Sequence, residues 1–475
     1  MTPIILWFRK DLRLTDNPAL TAAVEDGAPI LPLYILEEDT NNPWPLGNAQ
    51  KWWLHHSLSQ LNETFLKLGG QLFLKRGNPQ EILGELVKTV RAKEVYWNRC
   101  YEPYALHRDN YIKENLQSLG VRVKGFKGNL LFEPWEVLNK QGTAFKVYTP
   151  FWKECLSKLD VQKTLSKPKK LNLYNASVLN ENLSDFKLLP QNPDWSLNFY
   201  EVWQPGEMNA EKLLKEFLDH RVHEYTLKRD YPAINGTSRL SPHIHFGEIS
   251  VRQIVEQLKF SKEFKKETGD EVYLSELGWR EFCYSLLYHF PELPERNFQI
   301  TFNDFSWENN DANLRDWQKG RTGYPIVDAG MRELWTTGWM HNRIRMIVAS
   351  FLTKHLLLPW QQGEKWFWNT LLDADLANNA SGWQWVAGCG ADAAPYFRIF
   401  NPVLQGEKFD PEGDYVRRFV PELRQLSKQY IHKPWLAPTE ELEKGEVVLG
   451  KTYPYPIIDH GKARQRALQA YKNIR

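Results

Sequence analysis

Short apolar runs recur near the N-terminus at 4–8 (IILWF), 29–36 (PILPLYIL), 70–76 (GQLFLKR) and 94–99 (EVYWNR), and helical-period stretches separate them at 15–27, 48–68, 79–92 and 105–119. Brief apolar runs of this kind are how strands buried on both faces read, and strands alternating with helices predict a doubly wound, parallel α/β sheet. From about 130 to 205 the periodicity fades into a stretch rich in Asn, Pro, Lys and Ser, which suits a surface connector. Beyond 205 the pattern is helical nearly throughout, at 208–226, 248–259, 271–290, 325–337, 340–357 and 363–372. The expected organisation is an α/β doubly wound domain over 1–130, a connector over 131–205 and a mostly α-helical domain over 206–475.

Composition narrows the function classes. The chain has 60 basic and 58 acidic residues, so bulk charge does not make it a nucleic-acid coat, although a local basic groove remains open. No apolar run is long enough to cross a bilayer, and the start of the chain leaves no room for a signal or transit segment, so the cytoplasm is the expected location. Cys100, Cys155, Cys283 and Cys389 are widely spaced, which suggests neither a zinc site nor a disulfide framework, and no metal is expected. Twenty tryptophans exceed ordinary packing needs and make a large flat ligand plausible. No G-x-G-x-x-G follows the first strand, where WFRKDLRLTDNPAL stands instead, so the α/β domain does not read as a dinucleotide binder.

Four segments could carry chemistry. NGTSRLSPHIHFGEIS (235–250) sets Thr237, Ser238, Arg239 and Ser241 just before a helix, where hydroxyls and a guanidinium suit a diphosphate or simply cap the helix. In SELGWREFCYSLLYHF (275–290), Glu276, Trp279, Arg280 and Cys283 share a helix face, as a site or as an i, i+4 ion pair beside a core Trp. The helix from 340 presents Asn342 and Met346 at i, i+4, with His341 and Arg345 one step around; such a Met is also an ordinary gap filler. In DADLANNASGWQWVAGCGADAAPYFRIFNP (373–402), Asp373 and Asp375 precede Asn378, Asn379, Trp383 and Trp385, and the aspartates either cap backbone amides or bind a ribose or a ring nitrogen.

Together with ILWFRKDLRLTDNPAL and GWMHNRIRM, these segments resemble the photolyase/cryptochrome family over nearly the whole chain. GNAQKWWLHHSL, WREFCYSLLYHFPEL, YIHKPW and LGKTYPYPIIDHGKARQRALQAY are most similar to class III bacterial cyclobutane pyrimidine dimer photolyases, with class I the near alternative. The resemblance implies a light-driven carbon–carbon lyase that repairs dimers in UV-damaged DNA with an electron from reduced FAD, the dimer being flipped out of the duplex. The runner-up is a cryptochrome-type blue-light sensor without repair activity. A redox enzyme with a dissociable nicotinamide lacks its glycine fingerprint.

By the same resemblance, Tyr225, Thr237, Ser238, Arg239, Leu240 and Ser241 hold the diphosphate and adenosine side of FAD. Arg345, Asp373 and Asp375 face its ring, Asn379 lies near flavin N5, and Trp279, Arg280 and Asn342 join the cofactor set. Glu276, Trp279, Asn342, Met346 and Trp385 address the dimer, and Trp383, Trp360 and Trp307 relay an electron. Asn342 and Met346 stand where (6-4) photoproduct enzymes carry His, which favours a dimer substrate. Arg229, Arg343 and Arg398, and less firmly Lys408, are the DNA-contact candidates, or else structural ion pairs. The implied antenna is 5,10-methenyltetrahydrofolate, with a deazaflavin as alternative. Tyr104 and Ala105 stand where folate-binding class I members have Asn-Glu, so that binding mode is not expected. A monomer is expected.

Overall fold

The structure, a computed structural model, describes residues 2–38, 41–161, 163–175, 180–260 and 269–474. Position 162 and positions 176–179 of the expected connector therefore lie outside the described residues. The chain packs as two compact units, Met1–His223 with Ser238–Pro291, and Glu224–Thr237 with Glu292–Arg475. The helix Glu207–His220 and the segment 238–291 thus pack in the same unit as the N-terminal sheet.

The first unit is built on five parallel strands, β1 (Ile4–Phe8), β2 (Ile30–Glu37), β3 (Phe73–Gly77), β4 (Glu94–Asn98) and β5 (Arg122–Phe126), in the order β3-β2-β1-β4-β5. Every residue of β1 is buried, because helices lie on both faces: α1 (Pro18–Glu25), α2 (Asn48–Lys67), α3 (Pro79–Thr89) and α4 (Pro103–Ser118). One core packs Ile5, Trp7, Leu33, Val95 and Trp97 from the sheet against Leu83 and Val87 of α3 and Ile112 and Leu116 of α4. Asn17 and Asn78 start α1 and α3 by accepting a backbone N–H, each followed by a proline at the first helical position.

Two sheet expectations need correction. β3 begins at Phe73 rather than 70, because Gly69 takes a left-handed φ of 87° just after α2 and the chain has not yet joined the sheet. β5 was not expected at all. It is an edge strand, RVKGF, with Arg122 exposed and the rest half-buried, so it lacks the apolar run that marks the inner strands.

The loop after β1 does the work of a glycine turn with a polar network. Asn98 donates to Asp11 at 2.6 Å and Asn17 at 2.8 Å, and the buried Arg13 donates to the carbonyls of Gly128 at 2.6 Å and Gly247 at 2.9 Å. These bonds satisfy buried groups and fix the loop rather than leave amides open for a phosphate.

The second unit is helical, with Pro325–Thr337, Asn342–Ser350, Trp360–Thr370, Leu376–Ala387 and His460–Lys472 as its longer helices. The single helix expected over 340–357 is interrupted. It begins at Asn342, where the His341 side chain caps it by accepting the Arg343 N–H, and after Ser350 it widens into a π-turn over Phe351–His355. In the first unit, the helix expected over 208–226 likewise stops at His220. All four cysteines are buried, and none forms a disulfide among the described residues. Among the described residues no helix is long and apolar enough to cross a membrane, and no His, Cys, Asp and Glu cluster could hold a metal.

Candidate functional site

In the first unit the long helix Gly269–His289 carries Glu276, Trp279 and Arg280, all half-buried. Trp279 lies flat on Tyr148, with ring centroids 3.7 Å apart and planes 9° from parallel. The Tyr148 hydroxyl donates to the Ser275 carbonyl at 2.6 Å, which locks the stack onto the helix. Arg280 pairs with the neighbouring Glu281 at 3.1 Å and lies over the ring of Tyr284. In the same unit, Arg239 has a left-handed φ of 56°, a strained value for a non-glycine residue, and its guanidinium sits 5.3 Å from the Trp203 ring centre. Leu240, fully buried, anchors the turn that leads into the short helix Ser241–His245.

In the second unit the stretch that held most of the expected chemistry folds as one capped helix. Asp375 starts Leu376–Ala387 by accepting from both the backbone N–H and the amide of Asn378, at 2.9 Å and 2.7 Å. At 100° per residue, Asn379, Trp383 and Val386 share one face, and all three are buried. Asn378, Gly382 and Trp385 share the other, more open face, where a side chain added at Gly382 would meet nothing. The two neighbouring tryptophans therefore point in different directions.

The buried face has defined partners. Asn379 donates its amide N–H to the Glu364 carbonyl at 3.0 Å, and its amide oxygen accepts no hydrogen bond among the described residues. Trp383 packs against Phe367 and Trp317 at centroid distances of 5.0 Å and 6.1 Å, and its indole N–H finds no partner among the described residues. A Cβ on Gly363 would fall inside the Trp383 ring, so only glycine allows the helix Trp360–Thr370 to approach this closely. Trp360 is on that helix one turn before Gly363, fully buried, with its indole N–H on Asn297 at 2.8 Å. Trp307 is half-buried and lies 4.5 Å from Phe305. The three tryptophans thus grade from buried to partly exposed.

Arg345 grips Asp373 with one nitrogen, at 2.8 Å and 3.1 Å to its two oxygens, and its Nε donates to the Met340 carbonyl at 2.8 Å. Asn342 is exposed and Met346 half-buried on the same helix. Arg343 is held by Asp230 at 2.8 Å and lies over Phe409, which is the structural alternative to a DNA contact. Arg229 rests over the ring of the buried Tyr225. Arg398 and Lys408 are exposed, beside the exposed Phe397 and Leu404 in sequence.

At the carboxyl ends of β1, β2 and β4, where doubly wound sheets open a crevice, charged side chains pair with one another. Arg9 binds Asp109 at 2.6 Å, and Arg108 binds Asp109 and Glu37, each at 2.7 Å. Tyr104 donates to Glu37 at 2.8 Å, and Ala105 is buried.

The residues of the second unit fit a flavin ring. Among the described residues, an amide oxygen without a donor, a buried indole N–H without an acceptor, a buried Ser381 hydroxyl without a partner and an oriented Arg345–Asp373 pair are the groups that a ring edge of N–H and C=O would satisfy. Two contributors escaped the sequence reading. Tyr148 lies far from Trp279 in sequence, and only the aromatic run around VYTPFW hinted at it. Glu364 reads as a surface helix residue beside Lys365, yet is fully buried.

The description "DNA photolyase" matches residues 4–170, and "FAD binding domain of DNA photolyase" matches residues 273–473. A deoxyribodipyrimidine photo-lyase of Agrobacterium fabrum is 51% identical over 473 residues, covering 100% of this chain and 98% of the relative. Cryptochrome-1 of Arabidopsis thaliana is 39% identical, covering 99% of this chain and 70% of the relative. The crystal structure of a bacterial class III photolyase from Agrobacterium tumefaciens superposes with a TM-score of 0.96 at 51% identity, over 100% of this chain and 98% of that one. With both halves of the chain matched by the family models and a relative 51% identical over its full length, this chain belongs to the photolyase/cryptochrome family.

Proposed function

We propose that the chain acts as a cyclobutane pyrimidine dimer photolyase of the class III group, splitting dimers in UV-damaged DNA by light-driven electron transfer. FAD, when bound and reduced, supplies the excited electron. The observation that carries this reading is Asn379, a buried carboxamide whose N–H is committed to Glu364 and whose oxygen is left to accept from a ring N–H. An amide there tolerates a reduced, negatively charged ring that a carboxylate would repel.

Arg345 and Asp373 orient the ring and Asp375 stiffens the helix that bears Asn379, while Tyr225, Thr237, Ser238, Arg239, Leu240 and Ser241 serve the diphosphate and adenosine side. Trp279, Arg280 and Asn342 complete the cofactor contacts. Trp279 and Trp385 give the dimer its apolar surface, and Asn342, Met346 and Glu276 meet its polar edge. Glu276 hydrogen-bonds the pyrimidine carbonyl on which negative charge builds, so it stabilises the reacting state more than the resting one. Trp383, Trp360 and Trp307 return the flavin to its reduced form. Arg229, Arg343, Arg398 and Lys408 serve phosphates, with Arg343 the weakest because Asp230 already neutralises it.

Residues 1–130 hold the antenna, 131–205 connect, and 206–475 hold FAD and DNA. The antenna is 5,10-methenyltetrahydrofolate, with a deazaflavin second, in a mode other than that of folate-binding class I members. Tyr104, committed to Glu37, and the buried Ala105 are not ligands of that kind. The protein works as a monomer in the cytoplasm. Replacing Glu276 by Ala should cut repair per photon about tenfold, the equivalent of roughly 1.4 kcal/mol of lost stabilisation, with flavin absorbance unchanged. Loss of the flavin instead would make Glu276 a structural residue. The second reading, a blue-light sensor, is favoured by the cryptochrome-1 similarity and requires bound flavin without any dimer splitting.

A further inference from the structure

Glu364 is a buried acid beside the flavin-fitting residues for which the proposed mechanism has no use. Its side chain is fully buried, and neither carboxylate oxygen reaches a hydrogen-bond partner among the described residues. An ionised carboxylate left this way is costly, whereas a neutral acid in the same place is far less so. The charged groups around it do not help ionisation enough. Lys365 is on the same helix but exposed, and Glu295 from the segment before Phe298 opposes a second negative charge. The thiol of Cys389, after the helix Leu376–Ala387, is itself pushed up by burial and stays neutral. Burial therefore drives the Glu364 carboxyl well above the ordinary carboxylate range. Its position is equally specific: its backbone carbonyl holds the Asn379 amide at 3.0 Å, and the preceding residue, Gly363, lies against the Trp383 ring.

We propose that Glu364 is a proton store for the flavin ring. This rests on the flavin reading given above. Glu364 would give its carboxyl proton to a bound ring that has taken one electron by way of Trp383, the O–H breaking as an N–H forms. On loss of that electron the N–H would break and the Glu364 carboxylate would take the proton back. At the one-electron stage the buried site would then carry a single negative charge, on Glu364 in place of the ring. The electron is replaced through the tryptophans by an external thiol reductant.

Light-minus-dark infrared difference spectra of the FAD-loaded protein test this, with visible spectra and dimer splitting recorded on the same samples. Wild type should lose a protonated-carboxyl carbonyl band on photoreduction, sensitive to D2O and absent from Glu364→Gln. In Glu364→Gln, protonation of the one-electron-reduced ring should slow at least tenfold, and Glu364→Asp should restore it in part. A wild-type difference spectrum without that band would overturn the proposal, even were Glu364→Gln too unstable to measure. So would protonation in Glu364→Gln at the wild-type rate. Wild type that binds no FAD would instead sink the flavin reading itself.

Discussion

A carboxamide and a carboxylate of the same shape differ by one charge, and the proposed function puts that difference at residue 379, beside a bound flavin. Asn379→Asp should speed dark reoxidation roughly tenfold, followed by the return of oxidised-flavin absorbance, since a like charge worth about 1.4 kcal/mol shifts an equilibrium by that factor. Unchanged reoxidation would show that residue 379 does not face the ring. Packing makes a second demand at this scale: Gly363→Ala drives a methyl group into the Trp383 indole and should cost about 1–3 kcal/mol, read as a lowered midpoint in thermal unfolding. The different roles of Trp383 and Trp385 came from the family resemblance; their opposite facing, about 200° apart, follows only from the helix Leu376–Ala387, which the hydrophobic period did not predict. The Tyr148–Trp279 stack and the burial of Glu364 were not legible from sequence, because both depend on elements brought together from distant parts of the chain.

Among the elements, inner strands were legible and edges were not. β1 and β2 are buried almost throughout and announce themselves as apolar runs, whereas β5 alternates charge and glycine because only part of it faces the core. The helices ended where local side chains decided, as at the His341 cap, which a count of apolar spacing does not see. One contact between elements carries a pH signature. From within the helix Gly269–His289, the buried Glu281 accepts the backbone N–H groups of Leu131 and Phe132 at 2.8 Å and 3.1 Å. Burial pushes its carboxyl up to about 7, partly offset by Arg280. The folded state thus keeps a proton that the unfolded chain releases near pH 4.5, so stability falls as pH rises from about 4.5 to about 7. The loss amounts to roughly 3 kcal/mol. Glu281→Gln should flatten this slope in midpoints measured from pH 5 to 8; an unchanged slope would mean that Glu281 is already ionised in the fold.

At the scale of the whole molecule, the α/β and helical parts follow from the change of hydrophobic period along the chain, and no glycine fingerprint was needed to predict the sheet. What periodicity could not supply was the chemistry, which came from residue types at particular spacings and from the family they resemble. The described residues then gave those side chains partners: an amide with a free oxygen, an indole with a free N–H, an arginine fixed on an aspartate. The central claim is that this constellation serves repair rather than sensing alone. The most direct measurement is to illuminate the protein, with FAD bound and reduced, in the presence of dimer-containing single-stranded DNA, and to follow the recovery of pyrimidine absorbance. The account predicts recovery that needs both light and reduced flavin, with no net oxidation of the protein. Dimers left intact under light, in a sample whose flavin is bound and reduced, would contradict it.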